Sequence, residues 1–168
     1  MGMNTLINHY IQQLKDIQTS KNWVGNSYES VLKGLEEDLL FIRPKPDMHS
    51  VANIYSHVTF WREETILKIK TGKGSKSDDA EENWIPDEKL KQMGWEKIKT
   101  DYDTSLDEII ELLKNKEDSF LQEEYYDTDF KGSYTYSWLM DGMVHHDLYH
   151  LGQLGMIVKQ VKKLEVRG

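Results

Sequence analysis

The sequence predicts an all-α protein, a four-helix bundle with a long crossover between its second and third helices. Four long segments carry apolar residues at alternating spacings of three and four, the period of a helix with one buried face. No segment shows a convincing strand pattern, and the three prolines, Pro44, Pro46 and Pro86, fall between the helical segments. Helices with a single apolar stripe bury it against one another, so a bundle is the expected architecture.

The N-terminal part predicts a long helix and a shorter one. The first long helix covers Thr5–Gln18, where apolar residues recur at helical spacing. Ser27 is a candidate N-cap for a shorter helix that continues through Leu39. The segment Pro44-Lys45-Pro46 ends it, because the residue before a proline is pushed away from helical geometry.

The second long helix and the crossover follow. Ser50 is the expected cap of this helix, which carries His57 on its apolar stripe and ends near Gly72. Residues 71–93 are polar, charged and glycine-containing, with a short turn predicted at Asp87–Leu90. They are interpreted as a crossover within one domain, because neither flank could bury an apolar core alone.

The C-terminal part predicts the two remaining helices. The third long helix covers Trp95–Lys114, and residues 118–131, which are acidic and aromatic, are expected to be irregular. The last helix begins at Thr135 or Tyr136 and continues to about Lys163. A chain of 168 residues fits one domain, so residues 1–168 are predicted to form a single domain.

Composition excludes several classes of function. The chain has no cysteine, which excludes disulfides, thiolate metal sites, iron–sulfur clusters and a cysteine nucleophile. Its net charge is −8, from 21 basic and 29 acidic side chains, which argues against a nucleic-acid surface. The N-terminus lacks a signal-peptide pattern, and no stretch approaches the roughly 18 apolar residues that span a bilayer. We therefore expect a cytoplasmic protein with neither a nucleic acid nor a membrane as partner. The candidate metal site described next adds the expectation of a small-molecule substrate.

The candidate site begins with two histidines, His146 and His150, four residues apart in the last predicted helix. Side chains at this spacing project from one helix face, so both imidazoles can reach the same point. Imidazole is a common ligand of transition metals, and His57 is the best candidate for a third ligand from a facing helix. Without a metal, the pair would be hydrogen-bonded polar residues at a helix seam, and His57 a satisfied core histidine.

Known histidine motifs fit poorly. The zinc-peptidase motif has Glu after its first histidine, whereas this chain has Asp147 and lacks a further ligand at the expected offset. A di-iron carboxylate bundle needs Glu-x-x-His on two helices, but Ile54 stands three residues before His57. A peptidase and a di-iron protein are therefore poor interpretations.

Five further residues are candidates for contacts around the histidines or between helices. Gln153 could orient His150 or form an interhelical contact, and Glu64 could accept a hydrogen bond near the ligands or be solvated. Asp147 is expected on the surface or at an interface, because neighbouring helix positions point about 100° apart. Gly152 and Gly155 are expected to allow a close approach of helices.

Four aromatic residues have two open interpretations. They could form the wall of a pocket at one end of the bundle, or they could simply pack in the core. The residues are Trp61, Tyr134, Tyr136 and Trp138. Tyr149, which points away from the histidine stripe, is expected at the surface or an interface.

Two sequence segments resemble a known family. The segment from His146 to Gln153, with the pattern His-x-x-x-His-x-Gly-Gln, and the upstream segment Ser56–Trp61 are similar to those of the DinB-like superfamily of four-helix-bundle metalloproteins. The resemblance implies that His57, His146 and His150 bind nickel, zinc or another divalent ion. It also implies a homodimer, and better-understood members include bacillithiol S-transferases and mycothiol-dependent maleylpyruvate isomerases.

Three functions remain open. Three neutral imidazoles leave the double positive charge of an ion uncompensated, so its open positions favour an anion. The ion could activate water, with a pKa lowered toward about 7, for hydrolysis. It could instead bind the thiolate of an external low-molecular-weight thiol for S-transfer, which the resemblance favours. In the third interpretation the metal only stabilises a non-catalytic bundle, and a fourth protein ligand, such as Glu64 or His145, would favour that role.

Overall fold

A computed structural model describes residues 4–20 and 22–165 of the chain; residues 1–3, Lys21 and residues 166–168 of the predicted domain lie outside them. The predicted four-helix bundle is confirmed, with α1, α3, α5 and α6 as its long helices. The helices are α1 (Thr5–Gln18), α2 (Tyr28–Leu32), α3 (Val51–Thr71), α4 (Asp87–Met93), α5 (Trp95–Lys114) and α6 (Tyr136–Glu165). None of the described helices is both long enough and apolar enough to span a membrane.

The bundle is built around α3. This helix packs against α5 and α6, and α1 packs against the same two helices from the other side of the core. Ser50 caps α3 through a reciprocal pair of hydrogen bonds with Asn53, and Gly72 ends it with a left-handed φ of 71°. The Tyr136 hydroxyl donates to the carbonyl of Lys68, so the start of α6 lies beside the end of α3. The two helices therefore run antiparallel.

The short helix after Ser27 ends earlier than the sequence predicts. Ser27 caps α2 as expected, with a reciprocal hydrogen-bond pair to Ser30. The helix stops at Leu32, and Gly34 then adopts a positive φ of 73°. A separate 3-10 helix covers Glu37–Phe41. The prediction of one helix through Leu39 is therefore wrong, because the left-handed conformation of Gly34 turns the chain.

A small antiparallel hairpin replaces part of the irregular segment predicted at residues 118–131. A 3-10 helix covers Asp118–Gln122, and strands β1 (Glu124–Asp127) and β2 (Gly132–Thr135) follow. The two strands pair with Glu124 opposite Thr135. Tyr126 also exchanges backbone hydrogen bonds with Gly72 and Gly74, which fastens β1 to the start of the crossover.

The crossover contains more helix than the sequence predicts. Residues 81–84 form a 3-10 helix, and the turn predicted at Asp87–Leu90 is the first part of α4. The 3-10 helix packs against α3. The crossover therefore brings side chains of residues 83 and 84 to the helix that carries His57.

Candidate metal centre

The three predicted ligand residues lie together between α3 and α6. His57, His146 and His150 each offer one ring nitrogen, and these nitrogens all lie within 4.8 Å of one another. The Nε2 atoms of His57 and His146 are 3.1 Å apart. His57 and His150 are buried and His146 is partly exposed. Antiparallel packing of the two apolar stripes produces this convergence, because both stripes face the same seam.

The spacing of the His57 and His146 nitrogens fits two ligands of one divalent cation. Two nitrogens bonded to one zinc ion at about 2.0–2.1 Å and a tetrahedral angle lie about 3.3 Å apart, close to the spacing of His57 and His146. The group of candidate ligands has three members among the described residues. Three ligands are typical of a metal site that leaves a position open for water or substrate. Metal binding by these residues nevertheless stays a prediction.

His57 is oriented by the crossover. Its Nδ1 lies 3.1 Å from the carbonyl oxygen of Asn83, so Nδ1 carries the proton and donates, which leaves the Nε2 lone pair free. The indole of Trp84 stacks on the same imidazole, with ring centroids 3.9 Å apart and planes 8° apart. His49 stacks on Trp84 at 3.7 Å. The 3-10 helix at residues 81–84 thus holds the His57 ring in place.

The other two histidines are contacted by residues of α6. The Nδ1 of His150 lies 2.8 Å from Oε1 of Gln153, the contact that an orienting role for Gln153 requires, although the role itself stays a prediction. The Nδ1 of His146 lies 3.7 Å from Oδ1 of Asp147, close enough for charge interaction but too long for a hydrogen bond. With an acceptor at hydrogen-bond distance from Nδ1 of His57 and of His150, these two rings are arranged to present Nε2.

Burial keeps two of the rings neutral. Burial outweighs the raising effect of the Asn83 hydrogen bond and, assisted by the positive charge that His146 would carry, lowers the pKa of His57 to about 4. Burial also lowers the pKa of His150 to about 3, assisted by charge on His146 and His57. A metal ligand must be an unprotonated imidazole. Both residues therefore have their metal-binding form at neutral pH without losing a proton first.

Asp147 is buried, so its expected place at the surface is wrong. Its Oδ2 accepts hydrogen bonds from Arg62 at 2.6 and 3.2 Å, and both side chains are 1% exposed. Arg62 also donates to the Gln18 side chain and the Tyr102 carbonyl, which ties α3 to α1 and α5. Burial alone would raise the pKa of Asp147, but the charge and hydrogen bonds of Arg62, together with His146, hold it below its usual value. The carboxylate is therefore ionised.

Glu64 does not support the histidines. Its carboxylate accepts a hydrogen bond from the backbone of Ser75 at 2.8 Å and lies 3.6 Å from the amine of Lys68. It is buried, so neither of its expected roles, ligand support or full solvation, describes it. His145 is exposed. Among the described residues, neither side chain belongs to the group of candidate ligands, so the structural-site interpretation gains no fourth ligand.

No other described helix of this chain comes close to Gly152 or Gly155 of α6. A Cβ atom added to Gly152 or Gly155 would meet nothing within 4 Å among the described atoms outside their own helix. The expectation of helix contact at these positions is therefore wrong for the single chain.

The centre opens into a cavity of about 520 Å³, within the usual size range of small-molecule sites. Two of the four aromatic residues considered as wall residues, Trp61 and Trp138, line it, as does the exposed Tyr149. Tyr136 is instead buried in the core, and Tyr134 stacks on Trp138. A second cavity of similar volume borders Ser56 and Lys76 and contains none of the three histidines.

Sequence reasoning missed Arg62, Asn83 and Trp84. Arg62 had a usable signal, because an arginine between apolar positions of a buried helix needs a carboxylate partner. Asn83 contributes a backbone carbonyl, which every residue has. Trp84 lies in a polar segment without helical period, so neither residue could be placed from spacing.

Comparisons with known proteins agree with this architecture. A family model described as the DinB superfamily matches residues 21–154. Among solved structures, YfiT from Bacillus subtilis, described as "a probable metal-dependent hydrolase with an unusual four-helix bundle topology", is similar with a TM-score of 0.61. The two are 12% identical over 91% of this chain and 86% of that chain, a likeness that shows the fold alone. Among curated proteins, none matches the chain. Because the family model covers most of the sequence, the chain belongs to the DinB superfamily.

Proposed function

We propose that this protein is a metal-dependent enzyme that hydrolyses a small-molecule substrate at a divalent ion, zinc or nickel, bound by His57, His146 and His150. The observation that supports the proposal is the convergence of three ligand nitrogens at the wall of a ligand-sized cavity. The description of YfiT as a probable metal-dependent hydrolase points to the same class of reaction.

The chain's own residues would prepare the centre in two ways. The neutral imidazoles of His57 and His150 bind a cation without an accompanying proton loss. Asn83 and Gln153 lie at hydrogen-bond distance from Nδ1 of His57 and His150 and so would direct Nε2 of these two rings toward the ion. An ion held there would act as a Lewis acid and lower the pKa of water toward about 7.

S-transfer with an external low-molecular-weight thiol is the second candidate. The chain has no cysteine, so the nucleophilic sulfur would have to come from a cosubstrate. A centre with three neutral ligands favours an anion, and a thiolate meets that requirement as well as hydroxide does. The thiol-dependent relatives that the sequence resembles make this the alternative to test beside hydrolysis.

The test is a pair of activity panels on protein purified without nickel affinity chromatography. One panel contains esters and amides, and the other contains electrophiles with a series of low-molecular-weight thiols. Each is measured as purified, after chelation, and after zinc or nickel is added back. His150→Ala is the ligand variant, and His145→Ala is its control, because His145 is an exposed histidine on the same helix.

The proposal expects turnover that falls at least about 100-fold on chelation and in His150→Ala, since the ion supplies the main electrostatic stabilisation. Zinc or nickel should restore the chelated protein, and His145→Ala should match the unmodified chain. Activity that survives complete metal removal would contradict the mechanism. A bound ion that stabilises the fold without turnover in either panel would favour the non-catalytic interpretation.

A further inference from the structure

The cavity at the metal centre extends along the seam between α3 and α6. From α3 it is lined by residues between His57 and Lys68, and from α6 by residues between Trp138 and His150. Lys68 follows His57 by eleven positions, about 16 Å along a helix at 1.5 Å per residue, so the cavity reaches well beyond the three imidazoles. A molecule that contacts the metal at one end therefore has room for a body at the other.

Exposed aromatic side chains are concentrated around this cavity. Five aromatic residues are exposed in the described ranges, and three of them line it: Phe130, Trp138 and Tyr149, which are 60%, 42% and 64% exposed. Removing an aromatic ring from water lowers the free energy of the system. An exposed group of such rings therefore marks a surface that a ligand covers. Trp61 and Trp84 add two partly buried rings to the same wall.

The rings of this wall are held in place. Tyr134 stacks on Trp138, with centroids 4.3 Å apart and planes 24° apart. Phe130 meets Trp138 edge to face at 5.3 Å. The turn that carries Phe130 is closed by Oδ1 of Asp127, which accepts hydrogen bonds from the backbone N–H groups of Asp129 and Phe130. A wall fixed in this way loses little conformational entropy when a flat ligand stacks on it.

The charges on the rest of the wall are mostly negative. Arg62 is paired with Asp147, and Lys68 is paired with Asp127 at 2.8 Å. Asp78 and Asp129 also line the cavity, and neither has an ion-pair partner among the described residues. A second negative charge on the ligand would therefore be repelled away from the metal.

We infer that the cavity binds a substrate with one anionic head group at the metal and an uncharged aromatic body against Trp138 and Phe130. The inference rests on the proposed function, since the head group needs the ion. It defines a substrate class, the aromatic monoanions, and it assigns selection for the body to the hairpin and the first turns of α6. Larger flat apolar bodies fit the same requirement within the 520 Å³ of the cavity.

The experiment compares hydroxamates, which share one metal-binding head and differ in the body. Binding of acetohydroxamate, benzohydroxamate and 4-carboxybenzohydroxamate to the zinc-loaded protein is measured by calorimetry, with zinc content determined before and after. Trp138→Ala and Phe130→Ala test the wall. Trp23→Ala is the matched control, because Trp23 is 99% exposed and does not line the cavity.

Benzohydroxamate should bind at least about tenfold more tightly than acetohydroxamate, the gain expected for one buried and stacked ring. Trp138→Ala and Phe130→Ala should each remove most of this gain and leave acetohydroxamate unchanged, which also shows that the variants are folded. Trp23→Ala should keep the gain, and the added carboxylate should weaken binding.

Two other results have distinct meanings. Equal binding of acetohydroxamate and benzohydroxamate would overturn the inference about the body while leaving an open metal centre intact. No binding of either compound to protein that retains zinc would show that the ion has no open position, which would contradict the proposed function itself.

Discussion

The groups beside the three Nδ1 atoms differ in kind. The carbonyl of Asn83 and the side-chain amide of Gln153 lie at hydrogen-bond distance, whereas the carboxylate of Asp147 lies 3.7 Å from His146. Gln153 was a visible candidate because it lies three residues after His150 on one helix. Asp147 was misplaced because it points away from His146 on the helical wheel. In a bundle, the face beside the histidine stripe is also covered by other helices. Here α3 contacts Asp147 through Arg62 and α2 contacts it through Tyr28, so this face is buried as well.

Removing the charge of Asp147 should destabilise the protein strongly. Asp147→Asn leaves the guanidinium of Arg62 buried without its counter-ion, which costs about 3–5 kcal/mol. The measurement is the free energy of unfolding of the metal-free protein in urea. Asp107→Asn, an exposed change on α5, is the control and should stay within about 0.5 kcal/mol of the unmodified chain.

A double variant separates the pair from its packing. Arg62→Met with Asp147→Leu removes both charges and should recover most of the stability lost in Asp147→Asn, because no ion is left uncompensated. A free energy of unfolding for Asp147→Asn within 0.5 kcal/mol of the unmodified protein would show that the buried pair does not matter for the fold.

The metal-free protein should lose stability as the pH falls from about 6.5 to about 4. In that range His57 and His150, whose pKa values burial lowers to about 4 and about 3, stay neutral in the folded chain. Their unfolded forms, with a pKa near 6.5, take up protons and favour unfolding. Each histidine contributes a slope of up to about 1.4 kcal/mol per pH unit.

Urea unfolding at a series of pH values measures this slope. His57→Ala and His150→Ala should each have a shallower dependence than the unmodified chain, because one titrating group is gone. A stability that is constant between pH 6.5 and pH 4 would contradict the assignment of two buried neutral imidazoles.

At the scale of elements, the length of a helix or strand decides how well the sequence predicts it. The predicted bounds of Thr5–Gln18 and Trp95–Lys114 match α1 and α5, since several turns of apolar period leave little freedom. The strands Glu124–Asp127 and Gly132–Thr135 were missed because four residues show too few alternations to distinguish a strand from a loop. The 3-10 helix at residues 81–84 was missed because four residues are also too few to show a helical period.

The 3-10 helix should matter for metal affinity through Trp84. Trp84→Ala removes the ring that stacks on His57 and should weaken zinc binding about 10- to 100-fold, the usual effect of losing a contact that orients a metal ligand. Trp84→Phe keeps a flat ring and should retain most of the affinity. The measurement is competition with a chelator of known affinity, with Trp23→Ala as the control.

The outcome for Trp84→Ala has a clear alternative. Zinc binding equal to that of the unmodified protein would show that the His57 ring is fixed by the Asn83 hydrogen bond alone. The orienting role of the crossover helix would then be limited to its backbone.

Gly152 of α6 should respond to substitution differently from Gly74 of the crossover. Gly152→Ala should stabilise the monomeric chain by up to about 1 kcal/mol, because alanine favours helix and nothing lies within 4 Å. Gly74→Ala should destabilise it, since the added Cβ would clash with the carboxylate of Glu64. Thermal unfolding of both variants measures the difference, and a destabilised Gly152→Ala would reveal a neighbour, such as a second copy of the chain, at that position.

At the scale of the whole molecule, the candidate site joins two helices that are about 90 residues apart in sequence. The bundle and the three histidines were predictable because the helical period and the four-residue spacing both place them on inward faces. The residues that hold the rings were not, because they depend on where the crossover and hairpin pack. The homodimer that the resemblance implies stays a prediction.

The most direct test of the account is the metal content and zinc affinity of protein purified without nickel affinity chromatography. The account predicts about one divalent ion per chain, retained in His145→Ala, and a loss of affinity of at least about tenfold in each of His57→Ala, His146→Ala and His150→Ala. Protein that binds no divalent ion, or ligand variants that bind it as tightly as the unmodified chain, would contradict the central claim.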